Sequence, residues 1–250
     1  MIAIILAGGK SSRLGKDKGV IEIGGKKMID IVIESVRESK AEDFFIATST
    51  NAPMTRKYCK REDCNAIETP GEGYHADLRY LLSRHPEFVS VACDIPFIKG
   101  EHIDAIIDFY YEKSRRISIT GAVPRDMIPS YVVPSYVFEY ENRDLVAVGL
   151  NVVTNAKRNL PFVFNAPLLA VNINTGYDLG IASSIFSVYR RERRERGDDE
   201  KNEVMVVEES AKVEIFPRDV DLSKYVDSVE VEVDNFEDYH KVRKELRKKK

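Results

Sequence analysis

The first eighteen residues restrict the fold of this chain more than any other stretch. Ile4-Ile5-Leu6-Ala7 is wholly apolar and runs without a spacer into Gly8-Gly9-Lys10-Ser11-Ser12-Arg13-Leu14-Gly15-Lys16-Asp17-Lys18. That junction reads as a strand emptying straight into a loop. Positions 8 and 9 carry no side chain, so backbone N–H groups there can approach an anion closely, and Arg13 and Lys18 add two positive charges. The loop is therefore expected to hold a triphosphate.

Spacing excludes two commoner glycine loops. Gly9-Lys10-Ser11 has the lysine-serine end of a P-loop, but a P-loop needs a glycine five residues earlier, where this chain has Ile4. Gly8, Gly9 and Gly15 do not satisfy the dinucleotide fingerprint either. A bare glycine pair would be a tight turn; the short offsets to Arg13, Gly15 and Asp17-Lys18 set this one apart.

Composition narrows the class. At 250 residues, 43% apolar and 32% charged, the chain suits one soluble globular domain, or one domain with a small appendage. Net charge is −3, and no basic stripe interleaved with aromatics occurs in the first 180 residues, so no nucleic-acid partner is expected. No apolar run approaches the roughly 18 residues needed to span a bilayer. Met1 leads directly into the first strand without a charged leader, which predicts a cytoplasmic protein. Cys59, Cys64 and Cys93 are odd in number and unevenly spaced, and read as incidental thiols rather than a disulfide framework or zinc site.

Past the loop, Met28, Ile29, Val32, Ile33 and Val36 recur at helical spacing, and Phe44 to Thr48 reads as a buried strand. Ser49 to Thr55, with Pro53, reads as a loop. The alternation continues through a strand at Ala66 to Glu68, a loop at Thr69 to Gly73 and a helix carrying Leu78, Leu81 and Leu82. A strand at Phe88 to Ala92 then ends in Cys93-Asp94-Ile95-Pro96, and a helix carries Ile103, Ile106, Ile107 and Tyr110. Such alternation implies a largely parallel sheet covered on both faces.

The second half is richer in strands, with candidates at Ile117 to Val123, Tyr131 to Phe138, Leu145 to Val153 and Leu168 to Ile173, then a helix at Tyr177 to Tyr189. It is expected to lie over the carboxyl ends of the first sheet, where open α/β folds place ligands. The charged run from Arg190 to Glu200 separates a main domain, 1–190, from a C-terminal extension, 203–250, by a helix end and linker at 191–202. The extension reads as strands at Val204 to Val207, Val213 to Phe216 and Val229 to Val233, then a basic helix from Phe236.

Nucleotidyl transfer needs positive charge on the phosphates, a metal to neutralise developing charge, and an acceptor held in line. The loop with Arg13 and Lys18 meets the first need. Asp94, just after a buried strand, sits where a carboxylate could hold magnesium at the ligand-bearing edge of the sheet.

Leu6 to Lys18 resembles the signature of the molybdenum-cofactor guanylyltransferase-like nucleotidyltransferases. Cys93-Asp94-Ile95-Pro96-Phe97 is similar to that family's magnesium-binding segment, and Val171-Asn172-Ile173-Asn174-Thr175 to its late Asn-x-Asn-Thr strand. Within it, Phe45 to Ser49, Gly71 to Leu78, Val148 to Val153 and Asn172 to Thr175 look like segments of the archaeal GTP:adenosylcobinamide-phosphate guanylyltransferases. The resemblance implies an α/β, Rossmann-like three-layer nucleotidyltransferase fold with a mainly parallel central sheet, a homodimer, and GMP transfer from GTP to adenosylcobinamide phosphate with Mg2+.

Carried across position by position, it implies that Leu6, Ala7, Gly8, Gly9, Lys10, Ser11, Ser12 and Thr48 bind the nucleotide, with Gly71, Glu72, Gly73 and Tyr74 meeting guanine. Arg13, Lys18 and Asp94 would be catalytic, Asp94 also as metal ligand. Gly149, Asn151, Asn172 and Asn174 would line the space toward the acceptor. Because the attacking phosphate is ionised near neutral pH, no general base is required, and His75 and His102 are expected to be bystanders. Two alternatives share the loop: transfer to molybdopterin or to a sugar or polyol phosphate, and a GTP-binding regulatory module without catalysis.

Overall fold

The computed structural model describes residues 1–113 and 117–196. The sheet is organised around β1 (Ala3–Leu6), whose apolar side chains at positions 3, 4 and 5 are fully buried. It is flanked in parallel by β4 (Phe44–Thr48) on one side and β6 (Glu87–Ala92) on the other, with β5 (Ala66–Glu68) beyond β4. Between β1 and β4 lie a short hairpin, β2 (Glu22–Ile23) and β3 (Lys26–Lys27), and helix α1 (Met28–Arg37). The buried face of α1 is Met28, Ile29, Val32, Ile33 and Val36, the spacing of one stripe on a 3.6-residue helix.

Helix α2 (Pro53–Arg61) leads to β5, α3 (Tyr74–Leu82) to β6, and α4 (Gly100–Glu112) to β7 (Ser118–Pro124). Then come β8 (Val137–Tyr140), β9 (Arg143–Thr154), β10 (Asn159–Val163) and α5 (Gly176–Arg196). The sheet order is β10-β7-β9-β6-β1-β4-β5, with β8 paired to β9. Pairings are parallel except those made by β9, which runs antiparallel to β6, β7 and β8. The fold is thus mixed α/β with a mostly parallel central sheet.

Two cores separate on the two sheet faces. The larger takes Ala3, Ile5, Val89, Val91 and the even-numbered residues 146 to 152 of β9 against α1, α4 and α5. The smaller packs Ile4, Ala47, Phe88 and Val153 against Leu78 and Leu81 of α3. Full burial of side chains this size contributes about 1.5–3 kcal/mol each, so both faces of β1 are fixed by burial.

Several expectations require correction. Ser49 to Thr55 is not all loop: Pro53 starts α2, where a missing N–H and a preset φ suit the first helical turn. Of Tyr131 to Phe138 only the end is strand, because Pro134 keeps the preceding segment out of the ladder. Leu168 to Ile173 is not a strand; its first part is a 3-10 turn, Pro167–Ala170. An unforeseen strand, β10, occupies the sheet edge, the position that tolerates its Pro161. Most of the second half extends the first sheet rather than lying over it, β9 being inserted between β6 and β7, although β8 and Asn174 do reach the carboxyl edge of that sheet. The helix beginning near Tyr177 continues through Arg196; the expectations for 203–250 fall outside the described residues.

At the start of α4, the Lys99 amide donates to His102 Nδ1 at 3.1 Å, and the imidazole meets Phe164 edge-on. Burial disfavours its charged form and lowers its pKa from 6.5 to about 4, against the opposing pull of Glu101. Above pH 6.5 the ring is neutral folded or unfolded. As pH falls toward 4 the unfolded chain takes up a proton that the folded chain refuses, so stability should drop by up to about 3 kcal/mol. Denaturation midpoints from pH 7 to 4 should fall less steeply for His102→Gln than for the parent; parallel slopes would overturn the assignment.

Candidate active site

The carboxyl ends of β1, β4 and β6 align because the three strands are parallel and in register. Loops leaving them converge on a cleft of about 490 Å³. Its walls include Leu6, Gly8, Gly9 and Lys10 from the first loop, Gly71, Glu72, Gly73 and Tyr74 from the loop entering α3, and Asp94 after β6.

The first loop is held from below. Ser49 Oγ donates to the Gly8 carbonyl at 2.6 Å, and a Cβ at position 8 would stand 3.1 Å from the Ser49 nitrogen. At Gly9 a Cβ would meet nothing within 4 Å, so packing does not demand glycine there; its bareness leaves the loop backbone open to a ligand. Farther on, Ser11 Oγ accepts from the Lys18 amide at 3.3 Å, and Asp17 Oδ2 accepts from the amides of Met54 and Thr55 at 2.6 and 3.0 Å. Asp17 thereby supplies the two amides at the start of α2 with an acceptor and anchors the residue before Lys18.

Lys18 Nζ donates to Asp94 Oδ2 at 2.7 Å and to Asn174 Oδ1 at 2.6 Å. Both charged side chains are largely enclosed, at 18% and 17% exposure. Asp94 Oδ1 is buried with no hydrogen-bond partner among the described residues. Asn174 is fixed by its neighbours: Nδ2 donates to Ser135 Oγ at 2.8 Å, and its amide donates to Asp178 Oδ2 at 3.0 Å. Asp178 also accepts from Thr175 N and Oγ1; burial raises its pKa, opposed by these hydrogen bonds and by the charge of Arg13.

On the far wall, Gly71 adopts φ +72 and is clamped from two sides. Asn51 Nδ2 donates to its carbonyl at 2.7 Å, and its amide donates to Asp77 Oδ1 at 2.9 Å. A Cβ there would lie 2.6 Å from Asn51 Nδ2, so both conformation and space require glycine.

The sequence-predicted residues fall into groups. Lys18 contacts both Asp94 and Asn174, and Leu6, Gly8, Gly9, Lys10 and the 71–74 segment border the adjoining cleft. Ala7 is buried, and Thr48 is buried with its carbonyl accepting from Thr69 N and Oγ1; neither is a cleft wall residue. Ser11 braces the loop, while Ser12 and Arg13 are exposed, Arg13 on the side of Asp178. Gly149 takes φ +79 beside Ala92, where a Cβ would stand 2.9 Å from the alanine Cβ. Asn151 Nδ2 reaches Tyr74 Oη at 3.4 Å, and Asn172 is buried with Oδ1 unpartnered among the described residues. His75 is exposed and His102 is engaged at the start of α4.

Sequence reasoning missed Asn51, Thr69 and Asp77 in the cleft wall and Ser135 behind Asn174. Asp77 could have been suspected as an acid in the first turn of α3. Ser135 carried no signal at all.

The MobA-like NTP transferase domain family matches residues 3–136. Adenosylcobinamide-phosphate guanylyltransferase of Methanocaldococcus jannaschii is 32% identical over 195 residues, covering 74% of this chain and 97% of that protein. A probable molybdenum cofactor guanylyltransferase of Peptoclostridium acidaminophilum is 38% identical over 106 residues, 41% of this chain and 45% of its own. Among solved structures, molybdopterin-guanine dinucleotide biosynthesis protein A of Archaeoglobus fulgidus shares the fold at TM-score 0.52 and 19% identity, covering 75% of this chain and all of that one. A CMP:2-keto-3-deoxy-manno-octonic acid synthetase complexed with CTP does so at TM-score 0.57 and 14% identity, covering 76% and 98%.

Proposed function

Because the chain belongs to the MobA-like NTP transferase family, we propose that it moves GMP from GTP to adenosylcobinamide phosphate and releases pyrophosphate, a step of cobalamin biosynthesis. The observation that carries this reading is the contact of Lys18 with Asp94 at the glycine-bordered cleft. Residues 76 apart in sequence meet there as a cation suited to phosphates and a carboxylate suited to a metal. The choice of acceptor follows the Methanocaldococcus relative, whose length the chain spans almost entirely.

Asp94 fits magnesium. Its buried, unpartnered Oδ1 is a hard oxygen donor, and Mg2+ commonly takes one or two carboxylates and completes its shell with water and substrate phosphates. No cluster of three or more His, Cys, Asp or Glu occurs among the described residues, and none is needed for such a site. Magnesium bound there would neutralise negative charge developing on the phosphates.

The chain's own residues do the rest. Backbone groups of Gly8 to Ser12 and the Lys18 ammonium receive the triphosphate, and the clamped 71–74 loop receives the base. Asn174 holds Lys18 in place, so its charge is oriented before substrate arrives and little reorganisation is needed at the moment of transfer. The acceptor phosphate attacks the α-phosphorus, the new P–O bond forms as the bond to the β-phosphate oxygen breaks, and pyrophosphate departs. No proton transfer by the protein is required, since the attacking phosphate is already ionised, and His102 is engaged at the start of α4.

Radiolabelled GTP offered with each acceptor separately tests the reading. Label is expected in a corrinoid product with adenosylcobinamide phosphate. Label moving only to molybdopterin or to a sugar or polyol phosphate would overturn the acceptor, and GTP binding without pyrophosphate release for any acceptor would favour a regulatory module.

A further inference from the structure

Strand β9 is longer than its neighbour β6 and changes partner along its length. Residues 150–154 pair with β6, whereas residues 143–146 pair with β8. Since β7 occupies the other edge of β9 at Leu145 to Ala147, β8 uses the same edge as β6. It therefore continues the position of β6 beyond its carboxyl end, next to Asp94.

The alternation of side chains then fixes a direction. Val146, Val148, Leu150 and Val152 enter the larger core, so Leu145, Ala147, Gly149 and Asn151 face the α3 side, where the cleft opens. Opposite Leu145 stands Phe138, and opposite Ala147 stands Tyr136, whose carbonyl accepts from the Ala147 amide. The two rings stack with centroids 6.0 Å apart and planes 23° from parallel. Tyr136 is 64% exposed, the most open large hydrophobic side chain among the described residues. Ser135, next in the chain, is the residue that accepts from Asn174, the partner of Lys18.

We propose that Tyr136 and Phe138 form the surface on which the corrin ring of the acceptor rests, and so determine which acceptor the enzyme takes. This assignment rests on the function proposed above. The cleft of about 490 Å³ is of a size for one small-molecule ligand, so with GTP in it a macrocycle whose phosphate must reach Lys18 and Asp94 would lie on an adjoining surface. Two stacked rings on the cleft side of the sheet offer a flat apolar face. The Ser135 to Asn174 hydrogen bond holds the residue before Tyr136 at the reacting centre.

The test uses the full chain. Tyr136→Ala combined with Phe138→Ala should raise the KM for adenosylcobinamide phosphate about tenfold, leaving kcat and the KM for GTP within twofold. Cobinamide without its phosphate, which cannot react, should compete with the acceptor in the parent and fail to compete in the double variant. Tyr136→Phe, which keeps the ring, should behave as the parent, and it guards against a folding defect. An unchanged acceptor KM, or an equal rise in the KM for GTP, would overturn the proposal. So would a parental dimer that dissociates on Tyr136→Ala in light scattering, because the face would then belong to a second copy. If the parent transfers nothing to adenosylcobinamide phosphate, the proposed function falls first, a result distinct from parental activity that is indifferent to residues 136 and 138.

Discussion

Lys18→Met should lower kcat by about 10²-fold or more. Methionine keeps much of the stem but removes the ammonium that donates to Asp94 and Asn174. If that charge meets the triphosphate most strongly as negative charge develops on it, the loss falls on kcat rather than on GTP affinity. Pyrophosphate release under saturating substrates, with GTP affinity measured separately by titration, distinguishes the two. A kcat within threefold of the parent would remove Lys18 from the chemistry. Thermal denaturation should accompany the kinetics, because the substitution leaves a largely enclosed carboxylate at position 94 without its counter-charge.

Asp94→Asn is expected to be as damaging, again on the order of 10² in turnover, by removing charge without changing shape. Its amide oxygen can still accept from Lys18, so the local fold should survive, and the magnesium concentration for half-maximal rate should rise sharply. A parental magnesium dependence would exclude Asp94 as the metal ligand. Because the two side chains touch, Lys18→Met with Asp94→Asn should be little slower than the slower single variant. Fully multiplicative losses would mean that the pair does not act as a unit.

Much of this site was legible in the sequence because parallel strands end together. A residue just past the carboxyl end of any central strand falls on one edge of the sheet, so Gly8, Gly9 and Asp94 could be placed from their positions after apolar runs alone. The 71–74 loop was legible for a similar reason, with two glycines between a strand and a helix. Arg13 illustrates the limit. Its offset from the glycine pair matched Lys18 in promise, yet the turn closed by the Leu14 and Gly15 amides on the Ser11 carbonyl leaves Arg13 exposed while Lys18 turns inward.

Local pattern fixed what depends on neighbours a few residues away: the stripe of α1, the buried run of β1, the loop bordering the cleft. Tertiary structure alone decided what depends on long-range pairing. The insertion of β9 between β6 and β7 turned the second half into an extension of the sheet, set β8 beyond Asp94, and brought Ser135 to Asn174 across 39 residues. Periodicity reports which face of a strand is apolar. It carries no information about which strand lies beside it, since that is settled by burial and backbone hydrogen bonding summed over the whole chain.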